Sequence, residues 1–320
     1  MNIFTYTEGD KLMDSILKVK DVLKAYDDLI AVNKISFEVN QGEIMGILGP
    51  NGAGKTSLIR MIMNINAPDK GKIELNLDTD NWQSRVGYLP EEIGLYKEAK
   101  VKDILIFLGS LKGLSKKEAL KEGEYWLDKF DLTDNLNDEI KELSKGMAQK
   151  VQFAACVLHK PKLLILDEPF SGLDPVSQDL MKEEIKALAE SGVAIMLSSH
   201  QMNLVEEVCD RIFLLDKGNK VLYDDLDSIK NQYGNYRARL QTNDSNLLKD
   251  WLNDNDLILK YNSYRNNFNI LLEDNIEPNK FISDLPLDIN IVELEIKRIS
   301  LHNIFTRVAR GGLLDAKENI

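Results

Sequence analysis

The sequence has few of the residues that stabilise a chain covalently or hold it in a membrane. Only two cysteines, Cys156 and Cys209, occur among the 320 residues. That number is too small for a disulfide framework, and the two lack the spacing of a metal site, so we expect both to be small core side chains. Apolar runs such as Leu163–Leu166 and Val193–Leu197 fall well short of the roughly 20 residues that a membrane helix needs. The chain is therefore not expected to cross a bilayer by itself.

Basic residues are also in deficit. The chain has 40 Lys and Arg against 52 Asp and Glu, which gives a formal net charge of −12. This excess of negative charge repels a phosphate backbone, so general nucleic-acid binding is disfavoured. The N-terminal sequence lacks the basic-then-apolar pattern of a signal peptide, and we expect the protein to stay in the cytosol. The hydrophobic fraction of 43% is typical of a folded chain, and the length suggests about two domains.

Hydrophobic patterning indicates how the chain is organised. Residues 1–15 are polar and patternless, and we interpret them as an N-terminal extension. Residues 16–232 alternate dense apolar runs with helical patterns, which is typical of a largely parallel α/β sheet. Within this part, residues from about 101 to 158 repeat apolar side chains at helical spacing, and Ser115 with Glu118 forms a capping box. This segment predicts a helical insertion in the α/β core.

The remaining residues, 233–320, predict a separate C-terminal domain. Their patterns follow the order strand, helix, strand, strand, helix, strand, which is the order of the ferredoxin-like split motif. Ser300 then precedes a last helical pattern and is a suitable N-cap. The boundary is placed at about residue 233, where the composition changes.

One segment matches the pattern G-x-x-x-x-G-K-[ST] of a phosphate-binding loop. Its glycines let backbone N–H groups turn inward around an anion, and the helix that follows points its positive end at the same phosphates. Lys55 adds a positive charge near the β- and γ-phosphates, and the Thr56 hydroxyl suits Mg²⁺. The predicted nucleotide-binding residues here are Gly49, Pro50, Asn51, Gly52, Ala53, Gly54, Lys55, Thr56 and Ser57.

A second apolar run, Leu163–Leu166, ends in two carboxylates. Asp167 is suited to hold Mg²⁺, and Glu168 to polarise an attacking water. A solvated charge at a strand end is the simpler alternative for Glu168. Together with the phosphate loop, these residues predict a nucleotide hydrolase. The chain has no Asn-Lys-x-Asp element for guanine, so ATP is the favoured nucleotide.

A third segment, Leu143–Lys150, lies between these motifs, and Ser144 is a good N-cap for the helix that follows. The segment resembles the signature loop of the ATP-binding cassette (ABC) transporter ATPases. The surrounding order is similar to that family as well: an aromatic residue before the phosphate loop, GYLPEE at 87–92, the signature, the carboxylate strand, SGLD at 171–174, and a histidine after an apolar strand. The resemblance covers about residues 16–232.

The resemblance implies a role for each of these elements. Tyr26 would stack on adenine. Ser144 and Gly146 would reach across a head-to-tail dimer to the γ-phosphate held by a second ATPase subunit. Asp174 would couple the two sites, although an Asp-Pro pair is equally a plain helix start. His200 would contact the γ-phosphate.

Three positions depart from the family pattern. Glu91 stands where the family usually has Gln as an Mg²⁺ and coupling ligand, and we expect it to join Thr56 and Asp167 in the metal site. In the signature, Lys145 and Met147 stand where Gly and Gln are usual. The pattern as a whole is similar to the ATPase subunits of sodium-efflux and antibiotic-resistance exporters.

These observations predict an Mg²⁺-dependent ATP hydrolase that powers a separate membrane-spanning subunit of an exporter. Lys55, Glu168 and His200 are the expected catalytic residues, with Glu168 as the base for the attacking water. The helical insertion would dock the membrane subunit and so hold the protein on the inner face of the cell membrane.

Two other classes of protein are the alternatives. The first is a soluble ATPase that does mechanical work on nucleic acid or ribosomes, and such proteins typically carry long coiled coils or two cassettes in one chain. The second is an interaction module without catalysis. The single cassette, the acidic composition and the intact catalytic residues argue against both.

Overall fold

The computed structural model describes residues 15–27, 29–77, 79, 81–233, 235–273 and 276–309. Most of the predicted N-terminal extension lies outside these residues, and its last residue, Ser15, begins the first strand. The chain forms two compact units that divide between Tyr223 and Asp224. The boundary expected from the sequence, at about residue 233, lies about ten residues later. The helix Leu226–Tyr233 belongs to the second unit, but the change in composition that indicated the boundary comes only at the end of this helix.

The first unit combines two β-sheets with helices. Its strands are β1 (Ser15–Tyr26), β2 (Leu29–Asn40), β3 (Ile44–Leu48), β4 (Lys70–Leu75), β5 (Val86–Leu89), β6 (Leu163–Asp167), β7 (Ala194–Ser198), β8 (Arg211–Asp216) and β9 (Asn219–Asp225), which runs across the division. Its helices are α1 (Lys55–Ile62), α2 (Val101–Leu111), α3 (Lys116–Lys129), α4 (Lys145–Val157), α5 (Pro175–Glu190) and α6 (Met202–Val208), with short 3₁₀ helices at Trp82–Arg85, Thr133–Asn137 and Ile140–Glu142.

The larger sheet determines where the functional side chains meet. Its strand order is β5-β6-β7-β3-β8-β9, and the strands from β5 to β8 run parallel to their neighbours. Strands β3, β6 and β7 are buried along their whole length, as predicted for strands covered on both faces. The segments that follow parallel strands meet at one edge, the usual place for a ligand in such a sheet.

The second sheet, in the order β2-β1-β4, is antiparallel. One apolar cluster joins it to α1 and to the larger sheet, with Val19, Phe37, Ile59 and Phe213 among its members. The rings of Phe37 and Phe213 lie 5.0 Å apart. Helix α1 is therefore held by core packing between two sheets, and the loop at its N-terminus is fixed with it.

The helical insertion predicted for about 101–158 consists of α2, α3 and α4. The capping box at Ser115 is present, which confirms the predicted start of α3. Trp126 and Phe153 pack edge to face at 5.8 Å and join α3 to α4. The Lys129 ammonium, on α3, lies 2.6 Å from the carboxylate of Glu184 on α5, so an ion pair connects the insertion to the core.

The two cysteines have the predicted structural role. Both are buried and neither forms a disulfide. Burial raises the pKa of the Cys156 thiol to about 12 and raises that of Cys209 as well.

Among the described residues, no helix combines the length and the apolar character needed to cross a membrane.

The second unit has the predicted order of elements. Helix α7 (Leu226–Tyr233) is followed by β10 (Tyr236–Thr242), α8 (Ser245–Asn253), β11 (Ile258–Tyr264), β12 (Asn267–Leu272), α9 (Pro278–Asp284), β13 (Ile291–Arg298) and α10 (Leu301–Ala309). The sheet order is β11-β12-β10-β13 with antiparallel neighbours throughout. Phe268, Ile270 and Phe281 belong to a core of its own. The ferredoxin-like split motif is thereby confirmed.

Candidate active site

A cavity of about 810 Å³ lies at the carboxyl edge of the parallel sheet. It brings together segments that are far apart in the sequence. The predicted site residues that line it are Tyr26, Asn51, Gly52, Ala53, Gly54, Lys55, Thr56, Ser57, Glu91, Asp167, Glu168 and His200.

The phosphate loop has the backbone geometry that its glycines allow. Gly54 has a φ of 107°, and a Cβ at this position would lie 2.2 Å from the carbonyl oxygen of Ala31, so only glycine fits. Among the described residues, no side chain caps the start of α1, and its first N–H groups stay available for an anion. The Lys55 ammonium folds over the loop and donates to the carbonyl oxygens of Gly49, at 2.7 Å, and Pro50, at 3.2 Å.

Asp167, the last residue of β6, is a buried carboxylate. Burial is the main cause that raises its pKa, and the nearby carboxylates of Glu91 and Glu168 raise it further. A hydrogen bond from the Ser198 hydroxyl and the charge of Lys55 act in the opposite direction. A cation placed beside Asp167 would relieve this crowding of negative charge.

Glu168 is held by the segment that follows β7. Its φ of 51° lies in the left-handed region, which is costly for any residue other than glycine. Such backbone conformations recur at functional sites. Its Oε1 atom accepts from the His200 backbone N–H at 2.8 Å and lies 2.8 Å from the imidazole Nδ1. Its Oε2 atom accepts from the Ser199 hydroxyl at 3.1 Å, and that hydroxyl accepts from the Gln201 N–H at 3.0 Å. Each carboxylate oxygen has two acceptor positions, so Oε2 keeps one for a water molecule.

The predicted metal ligands share this cavity and offer only oxygen atoms. Thr56 supplies a hydroxyl, and Glu91 and Asp167 supply carboxylates. Hard cations such as Mg²⁺ prefer this donor set and usually keep water and substrate phosphates as further ligands. In the part of the chain that the structure describes, no group of three His, Cys, Asp or Glu side chains could hold a metal by itself. The residues therefore fit an Mg²⁺ ion that a nucleotide and water help to coordinate.

The opposite end of the cavity is aromatic and apolar. Tyr26 is 40% exposed, its hydroxyl accepts from the Asn66 amide at 3.0 Å, and the Lys24 ammonium lies 5.6 Å from its ring. Leu29 and Ile30, both exposed, line the cavity beside it. This end offers the face of a ring and apolar side chains to a planar base.

Five predicted site residues do not line the cavity. Gly49 and Pro50 belong to the phosphate loop and accept hydrogen bonds from Lys55 through their carbonyl oxygens. Ser144 and Asp174 are exposed and Gly146 is half-buried, and none of the three lines the cavity. Within one chain they do not reach the site.

The structure shows what one of the unusual residues of the signature loop contacts. Ser144 caps α4 and accepts from the Met147 N–H at 3.2 Å. Gly172 has a φ of 76°, and the aliphatic carbons of Lys145 lie 3.0–3.1 Å from the point where its Cβ would be. The lysine at this unusual position therefore packs over Gly172.

Several residues of the site are not marked by any of the sequence motifs. Leu29, Ile30, Ala31 and Lys217 line the cavity, and Ser198 and Ser199 hold the two carboxylates. The lysine and both serines stand at or just after the end of an apolar strand, so the sheet-edge rule that selected His200 applies to them too.

Comparison with known proteins gives matches along most of the chain. The family model described as "ABC transporter" matches residues 32–171, and the model of the C-terminal domain of DrrA1-3-like ATP-binding proteins matches residues 225–309. The uncharacterized ABC transporter ATP-binding protein YhaQ of Bacillus subtilis is 39% identical over 91% of this chain and 97% of its own length. The linearmycin resistance ATP-binding protein LnrL of the same organism is 37% identical over 64% of this chain and 68% of its own.

A solved structure described as the ATP-binding subunit of an ABC transporter is also similar. It is 32% identical, with a TM-score of 0.64, and the match covers 68% of this chain and 93% of the other.

Proposed function

The chain belongs to the family of ABC transporter ATP-binding proteins. From this premise, we propose that its ATPase activity drives a separate membrane-spanning subunit that exports a compound. The observation that carries the proposal is the convergence of phosphate loop, aromatic end and paired carboxylates on one cavity. The similarity to a protein named for linearmycin resistance supports export.

ATP would lie along the cavity, with adenine on Tyr26 and its phosphates in the loop that ends at Thr56. Thr56, Glu91 and Asp167 would hold Mg²⁺, which when bound neutralises phosphate charge. The Lys55 ammonium would leave the carbonyl oxygens of its own loop and bind the β- and γ-phosphates.

Glu168 would act as the general base. The free acceptor position on its Oε2 atom would take a proton from the water that attacks the γ-phosphate in line. His200, whose side chain is 63% exposed, would donate to the γ-phosphate oxygens and stabilise charge in the transition state.

Hydrolysis would take place in a head-to-tail dimer of ATPase subunits. Ser144 and Gly146 do not reach the cavity of their own chain, and Asp174 caps α5 on the exposed surface, accepting from the Ser177 N–H at 3.0 Å. In the dimer, Ser144 and Gly146 would approach the γ-phosphate of the partner subunit, and Asp174 would couple the two sites.

The membrane subunit would dock on the helical insertion. Phe107 and Leu111 are exposed apolar side chains of α2, and Tyr96 is an exposed aromatic residue in the segment before it. The rings of Tyr96 and Phe107 are 6.5 Å apart. A groove of about 320 Å³ that includes Leu95, Leu108 and Leu111 adjoins them. A cytosolic helix of the membrane subunit would cover this apolar patch and hold the protein on the inner face of the membrane.

The Glu168→Gln variant tests the assignment of the base and the dimer together. The amide keeps the phosphate contacts but cannot accept the proton, so the variant should bind ATP, hydrolyse it very slowly and elute as an ATP-bound dimer in gel filtration. Glu92→Gln, which changes an exposed carboxylate outside the cavity lining, is the matched control and should behave as the wild type. A monomeric Glu168→Gln protein with near-normal turnover would contradict the assignment.

Reconstitution with a membrane subunit tests the docking surface. Leu111→Asp should weaken co-purification of that subunit and leave basal ATP hydrolysis unchanged. Ile65→Asp places the same charge at an exposed apolar residue outside the patch and serves as the control. If nucleic acid stimulated the ATPase and no membrane protein did, the mechanical alternative would replace this proposal.

A further inference from the structure

Lys217 lines the cavity, and it is not one of the proposed catalytic or metal-binding residues. It is the first residue after β8, and β8 is hydrogen-bonded to β3, the strand that leads into the phosphate loop. Its side chain is exposed. The two strands are parallel, so their following segments lie next to each other at the carboxyl edge of the sheet.

The turn that carries Lys217 is bonded directly to the phosphate loop. The Gly218 N–H donates to the carbonyl oxygen of Ala53 at 2.9 Å, and the Gly218 carbonyl oxygen accepts from the Asn33 N–H at 2.8 Å. The Asn219 amide donates to the Lys217 carbonyl oxygen at 3.0 Å. With a φ of 47°, Lys217 takes the left-handed conformation that this tight turn requires. The backbone of Lys217 is thus fixed relative to the loop that binds phosphate.

The order of the strands gives the end of the cavity at which the lysine lies. Asp167 ends β6, and Glu91 and His200 follow β5 and β7, so all three lie on one side of β3. Lys217 follows β8, on the other side of β3. The Gly218 backbone also touches β2: a Cβ there would lie 3.0 Å from the carbonyl oxygen of Ala31. Lys217 is therefore placed toward the adenosine end of the cavity and away from the carboxylates.

The charged side chains of the cavity indicate which phosphate group Lys217 could bind. Among the described residues that line the cavity, Lys55 and Lys217 are the two Lys or Arg side chains. Lys55 serves the β- and γ-phosphates at the carboxylate side. The α-phosphate is the charged group of a nucleotide closest to adenosine. An extended lysine side chain that starts beside the loop can reach it.

We propose that Lys217 binds the α-phosphate of the nucleotide through its ammonium group. This inference rests on the proposed binding of ATP along the cavity with adenine at Tyr26. Both ATP and ADP have an α-phosphate, so the contact would be kept through hydrolysis and would contribute equally to substrate and product binding.

The test compares nucleotide affinities of three single variants with those of the wild type, measured by calorimetry. Lys217→Ala should weaken ATP and ADP binding by the same factor, about three- to fivefold, as expected for one exposed ion pair. Lys217→Arg should restore both affinities. Lys220→Ala removes the same charge from an exposed lysine on β9 that does not line the cavity, and it should leave both unchanged. Adenosine, measured by competition, should bind Lys217→Ala and the wild type equally.

Each other outcome overturns the inference. Equal effects of the Lys217 and Lys220 variants would mean that only net charge matters. A loss for ATP without a loss for ADP would place the ammonium at the γ-phosphate, and an equal loss for adenosine would place it at the ribose or base. If the wild type itself did not bind ATP, the proposed function would fail first, and that result is seen without any Lys217 variant.

Discussion

His159 gives a sharp prediction about the pH dependence of stability. The residue follows α4 and is 7% exposed. Neither ring nitrogen has a hydrogen-bond partner of normal geometry among the described residues. Burial, with a smaller effect of the Lys112 ammonium, lowers the pKa of His159 to about 4. The imidazole is therefore neutral in the folded protein at physiological pH.

The magnitude follows from the two pKa values. The distance from the ordinary value of 6.5 to about 4 corresponds to about 3 kcal/mol of unfolding free energy. The unfolded chain binds the proton more tightly, so this stability is fully present above pH 6.5 and is lost as the pH falls from 6.5 toward 4. At pH 5, about 2 kcal/mol of it should already be gone.

Replacement of His159 by Leu removes the titrating group and leaves an apolar side chain of similar size. At pH 7.5 the variant should match the wild type to within about 1 kcal/mol. At pH 5 it should be more stable than the wild type by about 2 kcal/mol. Burial also raises the pKa of Glu43 and Asp167, and these contributions cancel when the two proteins are compared at the same pH.

Urea unfolding followed by tryptophan fluorescence measures the difference. Both proteins should carry Trp251→Phe, because the signal then comes from Trp82 and Trp126, which lie in the first unit. His302→Gln, which removes an exposed histidine, is the control and should not change the pH response. If the unfolding free energies of wild type and His159→Leu stay parallel from pH 7.5 to pH 5, the buried imidazole does not oppose protonation and the reasoning is refuted.

Four further predictions concern the site and the division of the chain. Lys55→Ala should weaken ATP binding by about 100-fold, since its charge-assisted hydrogen bonds are lost; equal affinity in a titration would mean that the phosphate loop is misread. Glu91→Gln should need about fivefold more Mg²⁺ for half-maximal hydrolysis, from a charge interaction of about 1 kcal/mol, and should bind Mn²⁺ more weakly by the same factor; superimposed curves would remove Glu91 from the metal site. Ser199→Ala should lower kcat about tenfold at unchanged KM, and Ser199→Thr should recover much of the loss; a change in KM alone would show that the hydroxyl does not orient Glu168. Deletion of residues 235–320 should spare ATP binding, and a folded truncated chain that cannot bind ATP would contradict the separation of the units.

Local sequence signals were enough to predict the parts of the site that lie in one short segment. The phosphate loop needs glycine where the backbone turns left-handed or approaches another carbonyl, as at Gly54, and such residues are visible in the sequence. The carboxylate strand and His200 follow apolar runs, and parallel strands bring their ends together. The order of elements in the C-terminal unit was equally readable, because strand and helix periods differ.

Contacts between segments distant in the sequence were not predictable in the same way. Nothing local to Lys145 indicates that its side chain packs on Gly172, because that contact depends on where two loops meet. The Lys129–Glu184 ion pair depends in the same way on how α3 lies against α5. The sequence placed the domain boundary after helix α7, whereas the two units divide before it. A change in amino-acid composition does not show which of two units a helix packs with.

The two serines before His200 show how strand register builds the catalytic end of the cavity. Strands β6 and β7 are parallel neighbours, and Asp167 pairs with Ser198 in their register. The residues that directly follow the two strands repeat this arrangement, since the Ser199 hydroxyl donates to Glu168. One register therefore gives both carboxylates a hydroxyl donor from β7 and the segment that follows it. A slip of one residue would turn these side chains to opposite faces of the sheet and leave two buried carboxylates without their donors. The buried apolar side chains that hold β6 against β7 thus also determine the orientation of the proposed base.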